Sequence, residues 1–310
     1  MFGRVAAQFA SGFAMGASDV VPGVSGGTIA LVLGIYNDLL ANIGRGSKAL
    51  GRLVKGDPTG FVEGLRRVDW KFLLPLLAGI GSAVAVLAGI IESALHDHPE
   101  TMAGLFFGLV IGSIVVARRL FHAPSVAHGM IVVAVGAVTF ALLGFQSGPL
   151  ADPSPFLLVL AGALAICAMI LPGISGSFIL LMMGMYAAVL GAVDDRAVAD
   201  IALVGFGAIV GLALFSTLLS RALEENHDLV MAALVGLMFG SLRVLWPWPN
   251  GVGIIERDAS ETISGTGLGL PDGAPWGMAV TLAIVSAVLV VGLSEFATPS
   301  NDREVETSNA

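Results

Sequence analysis

GFAMGASDVVPGVSGGTIALVLGIYNDLL, residues 12–40, returns at residues 162–190 as GALAICAMILPGISGSFILLMMGMYAAVL, at a constant offset of 150 with ten of 29 positions identical. Pro22, Gly23, Ser25, Gly26, Gly34 and Tyr36 meet Pro172, Gly173, Ser175, Gly176, Gly184 and Tyr186. In both copies Pro-Gly-x-Ser-Gly interrupts a long apolar run. Proline disfavours helix in the residue before it and removes a backbone donor. The glycines beside it allow conformations closed to other residues. Each run should therefore turn where a membrane helix would otherwise continue.

The 310-residue chain is 56% hydrophobic and 12% charged, with a mean hydropathy of +0.90. Soluble domains carry about one quarter charged residues, so this composition indicates a membrane protein. A bilayer core of about 30 Å takes about 20 apolar residues per helix. Runs near 72–92, 102–117, 129–145, 201–219, 229–245 and 277–294 supply six spans. The two broken stretches, 5–40 and 156–193, stand apart from them. After Arg4 the first run meets Asp19 and Pro22 rather than a small-residue cleavage site, so it is expected to stay in the mature chain. Cys167, alone in an apolar run, excludes an intrachain disulfide and reads as a small core residue. The net charge of -8 leaves no nucleic-acid footprint, much of the acid lying in the tail at Asp302, Glu304 and Glu306.

The repeat continues past the breaks. LFFGLVIGSI (105–114) matches ALVGLMFGSL (233–242), and Gly129-Met130 matches Gly277-Met278. The sequence thus predicts an all-α polytopic membrane protein of two repeats, each one re-entrant broken hairpin plus three transmembrane helices. Half one spans 1–150, with hairpin 5–40 and an inserted segment 41–71. Half two spans 151–296, with hairpin 156–193, and 297–310 form a disordered cytoplasmic tail. Three spans are an odd number, so the second half should be inverted relative to the first, as in many transporters. Arg4, the seven basic residues of 41–71, Arg118, Arg119, Arg221 and Arg303 then fall on the cytoplasmic side. Arg196, Arg243 and Arg257 fall outside, with 246–275 a periplasmic loop. Full double spans in place of re-entrant hairpins would leave both ends of each hairpin on the same sides as before, so charge does not separate the two.

Ser25 to Thr28 lie at the start of a new helix, where unpaired N–H groups and the helix dipole favour an anion. Ser175, Gly176 and Ser177 repeat the arrangement. Two half-helix N-termini facing one another would clamp one phosphate or carboxylate, which gives a substrate site of Ser18, Asp19, Pro22, Gly23, Ser25, Gly26, Gly27, Thr28, Pro172, Gly173, Ser175, Gly176 and Ser177. The competing reading is that these small residues serve close helix packing, as expected for Gly79, Gly108, Gly112, Gly236 and Gly240. Asp19, an ionisable group inside an apolar run, is a candidate for a coupling proton or sodium ion. Its simpler role would be to cap a nearby backbone turn, and its counterpart in half two is Met169. Arg118 and Arg119 could attract an anionic headgroup or merely anchor topology. His96, His98, His122, His128 and His227 show no metal spacing, and neither a metal nor a cofactor is expected.

The strings SDVVPGVSGGTIALVLGIY and LPGISGSFILLMMGMY resemble a bacterial membrane family, long catalogued as a domain of unknown function, of polyprenyl-phosphate transporters of the PopT type. The resemblance covers nearly the whole chain. It implies a multi-pass protein of the bacterial inner membrane that returns undecaprenyl phosphate, the lipid carrier of cell-wall synthesis, from the outer to the cytoplasmic leaflet. Two rivals stand beside it. Integral-membrane undecaprenyl-diphosphate phosphatases have a similar Pro-Gly-x-Ser-Arg-Ser motif. Here Gly26 replaces the arginine and no glutamate-rich segment lies in the first hairpin, so the phosphate clamp and the acid–base pair are missing and no enzyme is expected. A transporter of a small soluble anion would use the same dipoles.

Overall fold

The computed structural model describes residues 2–19, 25–144, 150, 153–248, 268–271 and 276–297. Pro22, Gly23, residues 249–267 and 272–275 of the 246–275 loop and the tail from 298 lie outside the described residues. The described residues form helices without a strand: α1 (Phe2–Asp19), α2 (Gly26–Val32), α3 (Tyr36–Val54), α4 (Pro58–Arg66), α5 (Trp70–Asp97), α6 (Pro99–Ala117), α7 (Val126–Leu142), α8 (Pro155–Ile170), α9 (Gly176–Met182), α10 (Tyr186–Asp194), α11 (Val198–Glu225), α12 (His227–Ser241) and α13 (Trp276–Ala297). A single 3-10 turn, Arg118–Leu120, follows α6.

Local sequence sets these boundaries. Asp69 caps α5 by accepting the Lys71 and Phe72 N–H groups at 3.1 and 3.2 Å, and Ser125 caps α7 through the His128 N–H at 3.3 Å. Pro58, Pro99 and Pro155 open α4, α6 and α8, where a missing N–H costs nothing. α2 and α9 end in the same way. Gly34 (φ 70°) and Gly184 (φ 68°) take the left-handed conformation that glycine allows without strain. The Ile35 N–H reaches back to the Ala30 carbonyl and the Met185 N–H to that of Leu180, the paired-bond helix ending that a left-handed glycine permits. α9 and α10 meet at 116°, a sharp reversal.

All six uninterrupted runs of the sequence are helices, α5 to α7 and α11 to α13. Those of α5, α6 and α11 are long and apolar enough to cross a membrane unaided, and the bent pair α9 and α10 passes the same test together. α7, α8 and α12 are shorter apolar helices, as is the Trp276–Gly292 part of α13. α3 continues to Val54, beyond the expected hairpin end at residue 40, and α4 folds back on it with Gly64 against Ala49.

Four helix pairs carry the packing, and glycine sets their register. On α6, Gly104, Gly108 and Gly112 lie against the backbone of Ala279, Ala283 and Ala287 in α13. Gly236 of α12 lies beside Val132 and Val135 of α7, and Gly240 beside Gly136 and Thr139. Gly12 and Gly16 of α1 meet Leu76 and Ile80 of α5, while Gly207 and Gly211 of α11 meet Val159 and Ala163 of α8. In every pair both numbers rise together, so the helices run parallel. α1 with α5 and α8 with α11 lie within a half, whereas α6 with α13 and α7 with α12 join the halves reciprocally. In lipid the gain comes from close backbone approach rather than from water exclusion, and the Ser286 hydroxyl adds a bond to the Leu105 carbonyl at 2.8 Å. The core draws Met15, Tyr36, Leu76 and Val110 from one half and Leu234, Met238 and Leu245 from the other. Val86, Phe156, Leu214 and Val288 face outward and exposed, an apolar surface suited to lipid.

Candidate functional site

The two breaks meet, and the first hairpin holds the second. Ser25 is the N-cap of α2: its hydroxyl oxygen accepts the Gly27 N–H at 3.1 Å and lies 3.2 Å from the carbonyls of both Met169 and Leu171. One turn on, the Thr28 hydroxyl accepts the Gly173 N–H at 2.8 Å. Tyr36, 3% exposed, donates its hydroxyl to the Ile170 carbonyl at 3.1 Å. Three side chains of half one thus satisfy the backbone that α8 loses as it breaks off. Such pairing is what non-helical backbone requires at membrane depth.

Gly173 (φ 88°) lies so close to α12 that a Cβ there would stand 2.7 Å from the Met238 Cα. Pro172 beside it is buried. This copy of the motif is thereby locked between α2 and α12.

The two helix starts differ in what occupies them. In α2 the Gly26 N–H donates to Asp19 Oδ1 at 2.6 Å, the Gly27 N–H to Ser25, and the Thr28 N–H to the Ser25 carbonyl at 2.9 Å. Asp19 therefore sits where an external anion would. In α9 no side chain caps the helix, and the Ser175 hydroxyl pairs with that of Ser177 at 2.7 Å. The residue placed over Gly176 as Asp19 is placed over Gly26 is Met169, which has no acceptor of comparable strength. Ser18 turns away, its hydroxyl donating to the Ala14 carbonyl at 3.1 Å.

From Asn37, directly after Tyr36, a cavity of about 580 Å3 opens between α3 and α11. Arg45, Lys48 and Arg221 line it together with Asp38 and Glu224. Arg118 and Arg119 are exposed at the end of α6. Arg118 borders a separate groove of about 420 Å3 walled by Phe121, Val132, Val235 and Phe239, so the structure does not bring it to the breaks.

Sequence reasoning left two features without a role. Tyr36 carried a signal, since it recurs as Tyr186. The other joins residues more than 100 positions apart: His122, His227 and Asp228 converge where the α6–α7 connection meets the start of α12.

Residues 15–263 match the model of a family described as undecaprenyl phosphate translocase-like. A polyprenyl-phosphate transporter of Vibrio cholerae is 36% identical over 300 residues, covering 93% of this chain and 96% of its own. A polyprenyl-phosphate transporter of Staphylococcus aureus is 31% identical over 253 residues, covering 76% and 84%. No solved structure matches the chain.

Proposed function

We propose a function from one premise: the chain belongs to the undecaprenyl phosphate translocase-like family. It moves undecaprenyl phosphate across the bacterial inner membrane, from the outer to the cytoplasmic leaflet, with the phosphate held where the two Pro-Gly-x-Ser-Gly breaks meet and the isoprenoid tail left in lipid. The observation that carries this reading is the hydrogen-bonded junction of Ser25, Thr28 and Tyr36 with the backbone of residues 169–173. Polar side chains of half one and broken backbone of half two are gathered there at one point.

The unequal helix starts divide the labour. Gly176 and Ser177 offer their N–H groups, and Ser175 and Ser177 their hydroxyls, to the phosphate. Asp19 holds the equivalent place in half one and is displaced when a proton or sodium ion neutralises it, which frees the Gly26 N–H for the substrate. Coupling and binding then act on one donor. Alternating access follows from one half rocking against the other, and the Arg45, Lys48 and Arg221 cavity supports a cytoplasmic route for the released headgroup.

The parallel pairs support inversion of the second repeat. α6 and α7 are consecutive spans of opposite sense, as are α12 and α13. α6 runs with α13, the last span of half two, and α7 runs with α12. Repeats of like orientation would have made both pairs antiparallel.

Binding tests the headgroup site. Purified protein should bind undecaprenyl phosphate but not undecaprenol, and Ser175→Ala/Ser177→Ala should weaken binding at least tenfold. Undiminished binding by a Gly176→Val variant that still folds would place the headgroup elsewhere.

A further inference from the structure

We propose that His122, His227 and Asp228 form a site for a divalent transition metal of the zinc type, which staples the α6–α7 connection of the first half to the α11–α12 joint of the second. Zinc holds nitrogen and oxygen ligands at about 2.0–2.1 Å in tetrahedral array, which separates neighbouring donor atoms by roughly 3.3 Å. Here His122 Nδ1 lies 3.5 Å and His227 Nδ1 3.2 Å from Asp228 Oδ1, and the three donor atoms fall within 4.8 Å of one another. Two edges of the tetrahedron therefore exist before any metal arrives.

The carboxylate is held in place. The His122 N–H donates to Asp228 Oδ1 at 2.9 Å and the Ala123 N–H to Oδ2 at 2.7 Å, outer bonds of the kind that orient metal ligands. The two imidazole rings lie with centroids 4.2 Å apart, tilted 56° to one another. His122 is 74% exposed in its side chain and Asp228 14%, so the metal has an entry path and a fourth position open to water. Two imidazoles and one carboxylate suit zinc, copper or nickel rather than magnesium or calcium. Because the ligands come from both halves, the bound metal fixes their relative position on this face.

The experiment titrates zinc into the untagged full-length chain in detergent against a chromophoric chelator. One zinc per chain is expected, with affinity at least tenfold weaker in His122→Ala and in His227→Ala and unchanged in His128→Ala. Cobalt should give a tetrahedral visible band in the wild type that His122→Ala and His227→Ala lose, and zinc should raise the melting temperature of the wild type and of His128→Ala but of neither site variant. His122→Ala keeps the backbone bonds to Asp228, so its folding is preserved even where His227→Ala fails. No stoichiometric binding, or binding that His122→Ala leaves intact, overturns the site.

Discussion

Asp19 and Met169 stand at the same place over Gly26 and Gly176, and with the Ser25 cap that Ser175 does not repeat, this gives the two helix starts unlike chemistry. Asp19→Asn tests the coupling role at this scale, because an amide oxygen still accepts the Gly26 N–H while the charge is gone. We expect normal expression and melting with transport lost, and full transport by folded Asp19→Asn protein removes the role. Ser25→Ala acts differently. It deletes the cap of α2 and leaves the buried Gly27 N–H without its partner, so a loss of about 2 kcal/mol in stability is expected from thermal unfolding. The motif and the unusual depth of Asp19 were legible in the sequence. The bond from Asp19 to Gly26 was open only as one of two readings, because sequence spacing does not tell whether seven residues loop back or run on.

Among the elements, α6 depends most plainly on small residues. Gly108→Leu would drive a side chain into the Ala283 backbone and the Ser286 hydroxyl, whereas Gly89 on α5 faces open space. Gly108→Leu should therefore cost 3 kcal/mol or more, on the order of severe overpacking, and lose its monodisperse elution peak, while Gly89→Leu should keep it. α4 responds to acid. The Gly60 N–H and the Thr59 hydroxyl, with Arg52 nearby, hold the Asp57 carboxyl below its ordinary value. A depressed value means that the cap is intact above about pH 4, the unfolded range, and is lost as pH falls through the folded value. Hydrogen exchange of residues 58–66, corrected for intrinsic rates, should be flat from about pH 5 to 8 and speed up below about pH 4, and Asp57→Asn should abolish that change. The six helices of the uninterrupted runs were readable because each run is long and apolar, and three of them are long and apolar enough to cross a membrane. The extension of α3 to Val54 and the fold-back of α4 were not, since the basic residues there read as a charged segment and hid the buried stripe that ends in Ala49 and Gly64.

At the scale of the whole molecule, the repeat was visible as ten identities, but its pairing was not, because α6 with α13 and α7 with α12 join residues of opposite halves. The His122, His227 and Asp228 cluster escaped notice for the same reason. Inversion predicts that the two hairpins open to opposite faces. In a Cys167→Ser background, an impermeant maleimide applied from outside should label Asp195→Cys and leave Lys55→Cys unlabelled. Labelling of both from one face would exclude inversion.

If the joined breaks carry a lipid phosphate across the bilayer, the protein should transfer undecaprenyl phosphate between the leaflets of proteoliposomes. Undecaprenyl diphosphate and inorganic phosphate serve as controls, with wild type compared against Ser25→Ala/Ser175→Ala. The wild type should speed transfer of the monophosphate carrier, the double variant should lose this, and no phosphate should be released. Transfer at the protein-free rate, or flux of inorganic phosphate in place of lipid, would contradict lipid-phosphate transport through the breaks.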